Sequence, residues 1–137
     1  MQPGFGFREH AHTADWELEV WAPDLPSLLE QAARGMYTLS GVKLQAGTLQ
    51  ERSLQFQALD EEGLLVHFLE ELLWLEEDEK LGFDHFSIKI DPEYNLRATL
   101  QGSRIISLDK EIKAVTYHNL VIQDTPQGLR TSIVFDV

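Results

Sequence analysis

The chain has 137 residues and carries 23 acidic against 11 basic side chains, a formal charge of −12, which argues against strong direct binding of nucleic acid because a phosphate backbone is bound chiefly through lysine and arginine. It contains no cysteine, which excludes disulfide bonds and thiolate zinc sites and favours a reducing, cytoplasmic location. It also lacks an apolar run of about 18 residues and a basic start followed by an apolar core, so we expect neither a membrane span nor a secretory signal.

The first half of the chain alternates strand and helix patterns. Apolar residues at every second position predict a strand at "DWELEVWA". A helix is predicted at "PDLPSLLEQAARGMYTLSG", with Asp24 as its N-cap and Gly41 as its C-cap. The strand "SLQFQAL" is followed by a second helix, "DEEGLLVHFLEELLWLEEDEK", with Asp60 as its N-cap. We expect this helix to fray or end early, because the acidic run 76–79 lies at the negative end of the helix dipole.

The second half of the chain shows four strand-like stretches and no further helix. They are "FSIKI", "NLRATLQG", "SLDKEIKAVTYHNLVIQ" and "GLRTSIVFDV". Alternation in the third stretch predicts that His118 lies half-buried on a mostly apolar face. Because consecutive strands usually pair antiparallel, we predict an α+β fold in one domain over residues 1–137, with a mostly antiparallel sheet and two main helices packed on it.

The C-terminus places two anions side by side. Asp136 stands next to Val137, whose terminal carboxylate is also negative. Asp15 begins the first clear strand, and the two chain ends of small domains often lie close together. If they meet here, the three oxygen-donor groups would suit a hard divalent cation such as Ca²⁺, Mg²⁺ or Mn²⁺. The ordinary alternative for Asp15 is a turn or cap residue.

Two histidines near the N-terminus suggest a different metal. His10 and His12 lie two residues apart, so on a strand they would point the same way and could bind a transition metal. A solvated surface pair is the more ordinary interpretation, because a structural zinc site needs four ligands and no cysteine is present.

Five segments, taken in the same order, resemble the archease family across essentially the whole chain: "HTAD", "AARGMYTL", "FLEELLWL", "KAVTYHNL" and "FDV". The resemblance implies a small α+β protein that is not itself an enzyme. Such a protein would activate an RtcB-type RNA-splicing ligase, promoting its guanylylation by GTP and its multiple turnover in tRNA splicing. The resemblance also implies a bound divalent cation, Ca²⁺ first with Mg²⁺ or Mn²⁺ as alternatives, held by Asp15, Asp136 and Val137.

Further residues are implied to serve ligase activation. Lys113 is the lysine of "KAVTYH", and His118 is the histidine of the same segment. Glu71 of "FLEEL" is a weaker correspondence, because Glu70 lies beside it. Two positions depart from the family pattern: Trp16 follows "HTAD" where a smaller residue is more common, and Asn119 stands where the family commonly has glycine. Asparagine tolerates the left-handed backbone region, so we expect the turn at residue 119 to survive.

The residues favour a helper protein over an enzyme. The acidic chain suits a basic partner, and we find no nucleophile with a matching base and no phosphate-binding glycine loop. Two alternatives stay open. One is a metal-dependent hydrolase that uses Asp15, Asp136, His10 and His12, and the other is a general chaperone-like module. The oligomeric state is also open.

Overall fold

A computed structural model describes residues 4–11, 15–47 and 49–137, with Ala11 and Asp15 described by their backbone alone. Within these ranges the chain forms two helices and nine strands. The helices are α1 (Leu25–Ser40) and α2 (Glu61–Glu79). The strands are β1 (Gly6–Ala11), β2 (Asp15–Ala22), β3 (Lys43–Leu44), β4 (Gln50–Gln57), β5 (Leu81–Ile90), β6 (Asn95–Ser107), β7 (Ala114–Thr116), β8 (Gln123–Thr125) and β9 (Gly128–Asp136).

The strands are divided between two antiparallel sheets. The first, which we call the terminal sheet, has the order β1-β2-β9-β7, and β8 also pairs with β9. The second has the order β3-β6-β4, and β5 also pairs with β6. Helix α1 contacts β2 of the first sheet and β5 of the second, and α2 contacts β5 and β7. The predicted α+β fold with mostly antiparallel strands is therefore confirmed, and its two helices pack against both sheets.

Apolar residues at helical spacing on both helices form the centre of the core. Leu28, Ala32 and Met36 of α1 are fully buried, as are Phe68 and Leu72 of α2. Small residues let α1 approach β2 closely: a Cβ atom placed on Gly35 would lie 2.6 Å from a methyl group of Leu18. Within the described residues, neither helix is long and apolar enough to cross a membrane.

The predicted helix caps are confirmed. The Asp24 carboxylate accepts a hydrogen bond from the Ser27 amide at 2.9 Å, and the Asp60 carboxylate accepts one from the Gly63 amide at 2.7 Å. These bonds satisfy amides that have no partner inside the helix. At the other end of α1, Gly41 adopts a φ of 68°, the left-handed conformation that glycine accepts without strain.

The prediction that α2 ends early is wrong. The helix continues to Glu79, and Lys80 closes it in the left-handed conformation with its amide bonded to the Glu76 carbonyl. Two contacts offset the unfavourable charge at this end. The Arg52 guanidinium pairs with the Glu79 carboxylate at 2.6 Å, and the Lys80 ammonium donates to the Glu77 carbonyl at 2.7 Å.

Two strand predictions also need correction. Residues 6–11 form β1, although Asp15 was expected to begin the first clear strand, and the long third stretch is not one strand. Within it β7 is the one complete strand, because Ser107 ends β6 and Gln123 begins β8. A turn between β7 and β8 contains Asn119, which has a φ of 53°. Asparagine therefore does occupy the left-handed region, as predicted. Because the turn lifts the chain off the sheet, His118 is exposed and not half-buried.

Candidate functional site

The register of the terminal sheet brings three distant segments together at the end of the chain. Asp136 lies directly opposite Asp15 on the neighbouring strand β2. On its other side it lies opposite Ala114 of β7. The Lys113 amide donates to the Asp136 carbonyl at 2.8 Å, which extends the pairing by one residue. Asp136 therefore stands between the segment that starts β2 and the segment that carries Lys113.

The two faces of β9 have opposite environments. Thr131, Ile133 and Phe135 are buried in the core, and Val137, on the same face, packs against it. Asp136 belongs to the alternate face and is exposed. Its carboxylate makes no hydrogen bond or ion pair with any residue that the structure describes. The last side chain thus anchors the chain end, while the acid before it stays accessible to solvent.

Much of the predicted "HAHTAD" segment lies outside the described residues. His12 and Thr13 belong to the part that is not described, and Asp15 is placed by its backbone. His10 is exposed on β1, with its Nε2 atom 4.0 Å from the Glu19 carboxylate. Among the side chains that the structure describes, no three histidine, aspartate or glutamate groups are arranged to hold a metal ion. The two-histidine zinc site and the carboxylate site both remain predictions.

The donor chemistry at this position fits a hard cation. Side chains at directly opposite positions of an antiparallel pair lie on the same face, and like charges there destabilise the pair. Asp15 and Asp136 hold such opposite positions, and the terminal carboxylate of Val137 follows at once. Carboxylate oxygens are the ligands that Ca²⁺, Mg²⁺ and Mn²⁺ prefer. A divalent cation would therefore replace repulsion with attraction at this edge.

One acidic residue further along the same face is already paired with arginine. The Glu19 carboxylate lies 3.5 Å from the Arg8 guanidinium and 3.1 Å from that of Arg130. Both guanidinium groups also lie over the ring of Trp21, at 5.6 and 5.4 Å from its centroid. Because arginine supplies the counter-charge there, that part of the face has no need for a bound cation.

A second lysine lies near the chain end, and the sequence did not single it out. The Lys110 ammonium lies 3.9 Å from the centroid of the Trp16 ring, and the Lys110 amide donates to the Ser40 carbonyl. Trp16, the residue that departs from the family pattern, is therefore half-buried beneath a cation. The sequence signal that could have drawn attention to Lys110 was its position three residues before Lys113.

The other two predicted activation residues lie apart from this cluster. The Glu71 carboxylate is 3.3 Å from Nε2 of His67, whose ring stacks on Phe56 of β4 at 3.8 Å between centroids. His118 follows the end of β7 that points away from Asp136, and its amide donates to the Thr116 hydroxyl at 3.2 Å. Of the three residues predicted to serve activation, the structure brings Lys113 alone against Asp136.

A cleft of about 810 Å³ adjoins the chain end and was not predicted. It lies between one side of α2 and the segment that runs from β6 to β7, and we call it the α2 cleft. Because Lys113 and Ala114 line it, the cleft is continuous with the segment that pairs with Asp136. Its other lining residues are Glu70, Leu73, Trp74, Glu76, Glu77, Lys80, Ile105, Ile106, Ser107, Leu108, Glu111, Ile112 and Val115.

Comparison with known sequences links the chain to one family. The model of the Archease protein family matches residues 7–137. The chain is 31% identical over 136 residues to "Protein archease" of Methanosarcina barkeri, and the match covers 92% of each chain. It is 30% identical over 129 residues to "Protein archease" of Pyrococcus furiosus, covering 89% of this chain and 91% of that protein.

Solved structures show the same fold. The solution structure of protein 1598 from Methanobacterium thermoautotrophicum gives a TM-score of 0.73 at 26% identity, covering 96% of this chain and 99% of that one. The crystal structure of an archease from Thermotoga maritima, described as a possible chaperone, gives a TM-score of 0.66 and covers 100% of this chain and 97% of its own. At 24% identity, the second likeness supports the fold alone.

Proposed function

The chain belongs to the archease family, and we propose that it is a metal-binding protein cofactor that activates an RtcB-type RNA ligase. It promotes guanylylation of the ligase and multiple turnover in tRNA splicing, and it acts in the cytoplasm without being an enzyme itself. The observation that carries the proposal is the convergence of Asp15, Asp136 and Lys113 at one end of the terminal sheet.

The chain end would hold the cation. Asp15 and Asp136 supply carboxylates from opposite register positions, and Val137 supplies the terminal carboxylate. This donor set suits Ca²⁺ first, with Mg²⁺ or Mn²⁺ as alternatives. When bound, the cation supplies positive charge among these anions. The chain supplies the positioning: β2 and β7 pair with the backbone of Asp136 from its two sides, so its carboxylate is presented from a rigid edge.

Charge supports a protein partner rather than RNA. A chain with a formal charge of −12 is poorly suited to gripping a phosphate backbone. An RNA ligase needs positive surface near its substrate, and opposite surface fields speed the encounter of two proteins. Lys113 would then present a cationic side chain beside the chain-end anions, where the ligase handles its own metal and the triphosphate of GTP.

A guanylylation assay tests the proposal. The purified protein is mixed with its cognate ligase and labelled GTP, and covalent GMP on the ligase is followed over time. We expect faster labelling and more than one ligation per ligase molecule. Asp136→Asn should remove the effect and Asp124→Asn should not, since Asp124 is also exposed but lies on β8, which pairs with the other end of β9. Unchanged labelling with the wild-type protein would refute the proposal.

A chaperone-like role is the second candidate, because several large apolar side chains are exposed. Trp74 and Ile106 are 54% and 64% accessible, and such patches often mark interaction sites. Prevention of aggregation of unrelated proteins, undiminished by Asp136→Asn, would favour this role. Metal-dependent turnover of phosphoesters by the isolated protein would instead revive the hydrolase alternative.

A further inference from the structure

A nearly buried glutamate forms part of the α2 cleft. Glu76 is only 8% accessible and lines the cleft. Its carboxylate makes no hydrogen bond or ion pair within the part of the chain that the structure describes. Burial raises the pKa of Glu76, the nearby Glu111 raises it further, and Lys80 offsets part of this rise. The side chain is nearly buried, yet its carboxylate is not sealed from solvent, so a cation from outside the chain can reach it and would offset the cost of burying the charge.

Part of the wall of the cleft is apolar and open to solvent. Trp74, Ile106 and Leu108 are all exposed although each is large and hydrophobic. Glu70 and Glu77 add negative charge at the rim. The cleft therefore combines an aromatic face, aliphatic surface and a recessed carboxylate. A helix surface that only faces water would not be expected to combine these three features.

The chemistry of the cleft selects its occupant. Among the described residues no three acidic or histidine groups are set to hold a metal ion, so an inorganic cation lacks ligands there. Four glutamates and two lysines line the cleft, so an acidic peptide or a nucleic acid would meet net negative charge there. A guanidinium or ammonium group on a flexible stem fits well, because it pairs with a carboxylate while its stem and plane pack on an aromatic ring.

We propose that the α2 cleft binds a basic, apolar segment of a partner protein, in which an arginine or lysine side chain reaches Glu76 and its apolar neighbours cover Trp74, Ile106 and Leu108. Only the identity of that partner, the ligase, rests on the proposed function. The cleft and the chain end share the segment that contains Lys113. One partner can therefore engage both, and the second contact becomes intramolecular.

A peptide selection tests the cleft without any ligase. The full chain is immobilised and challenged with a random peptide library on phage. We expect enriched peptides to carry arginine or lysine beside large apolar residues. Glu76→Gln should weaken the best peptide by about tenfold or more, while Asp78→Asn, the same charge change at an exposed position of α2 outside the cleft, should not. Three results would overturn the proposal: enriched peptides that lack arginine and lysine, no enrichment at all, or peptide binding that is unchanged in Glu76→Gln.

The pH dependence of peptide binding distinguishes a contact with Glu76 from simple surface attraction. The groups that face Glu76 are Glu111, Lys80 and, from α1, Tyr37. Ionised Glu76 attracts a cation and its protonated form does not. Affinity for the selected peptide should therefore rise as the pH climbs above the ordinary glutamate value of 4.5, and the rise should be smaller in Glu76→Gln. An identical pH profile in both proteins would contradict the contact.

Cross-linking tests the identity of the partner. The chain is made with p-benzoylphenylalanine in place of Trp74 and is irradiated with the cognate ligase. We expect a cross-link to a ligase segment that carries arginine or lysine among apolar residues. Stimulated guanylylation without this cross-link would reject the cleft as the docking surface and leave the proposed function standing. Peptide binding at the cleft without stimulated guanylylation would reject the proposed function and keep the cleft.

Discussion

The chain end and the α2 cleft are neighbours, yet they are built in different ways. The chain end is set by strand register: Asp136 is held between β2 and β7, and the Lys113 amide donates to its carbonyl. The cleft is set by the side of a helix that the core leaves uncovered, where Trp74 remains 54% accessible. Backbone pairing fixes the position of a few charged groups. The uncovered side of a helix instead provides exposed surface that a partner protein can contact.

The two regions also hold their acids differently. Asp136 is exposed, so water can solvate its charge until an ion arrives. Glu76 is nearly buried, so its charge is costly until a partner replaces water. This contrast suggests that the chain end is suited to an ion taken from solution, while the cleft is suited to a side chain that brings its own apolar cover.

The largest effect on stability should come from the core beneath the chain end. Phe135 is fully buried and stands next to Asp136. Phe135→Ala should lower the free energy of unfolding by about 3–5 kcal/mol, measured by urea denaturation. Val134→Ala, at a half-exposed position on the same strand, should cost much less. Similar costs for the two variants would mean that β9 is not packed as its alternation indicates.

The next effect is stabilisation by a bound metal ion, which should depend on the chain end and not on the cleft. A cation that binds only the folded chain stabilises it by about 2.7 kcal/mol at a free concentration 100 times its Kd. Ca²⁺ should therefore raise the melting temperature of the wild type and of Glu76→Gln, but not of Asp136→Asn. Calorimetry with Ca²⁺ and then with a chelator checks this. A shift that survives in Asp136→Asn would place the metal elsewhere.

The helices illustrate what the sequence can predict. Their caps at Asp24, Gly41 and Asp60 and their buried stripes follow from contacts within one helix or from a single apolar period. The end of α2 was predicted wrongly, because the compensating charge comes from Arg52, which lies on a distant strand. Local signals thus suffice for local structure and fail where a tertiary contact outweighs them.

The candidate site shows the same division. The acids of the chain end were identified from residue type and from family resemblance, but no local pattern specifies that Asp15 pairs opposite Asp136, since a slip of two residues would keep the same side chains on the core face. The cleft was missed altogether. Glu76 belongs to an acidic run that resembles a solvated helix end, and its burial depends on where the segment 105–115 lies.

A smaller effect should come from Lys113, which belongs to both regions. Lys113→Met keeps the length of the side chain and removes its charge, and the backbone hydrogen bond to Asp136 does not depend on the side chain. We expect stimulated guanylylation to fall by about tenfold, equivalent to about 1.4 kcal/mol, with Ca²⁺ affinity retained. Lys89→Met, on β5 of the other sheet, is the matched control. Equal loss in both variants would show that only net charge matters.

The smallest effect concerns the stability of the free protein and isolates Glu76 from its neighbours. Its pKa is raised in the folded state by burial and by Glu111, so the folded chain holds this proton more tightly than the unfolded chain does. Stability therefore falls as the pH rises from the ordinary value of 4.5 through the raised folded value. Glu76→Gln cannot lose a proton, so its stability relative to the wild type should be constant below that window and should increase across it.

Urea denaturation of both proteins over a pH series measures the difference, which cancels the similar rise in the pKa of Glu61. A difference that does not change with pH would mean that Glu76 has its charge compensated already, and the argument that the cleft awaits a cation would lose its basis.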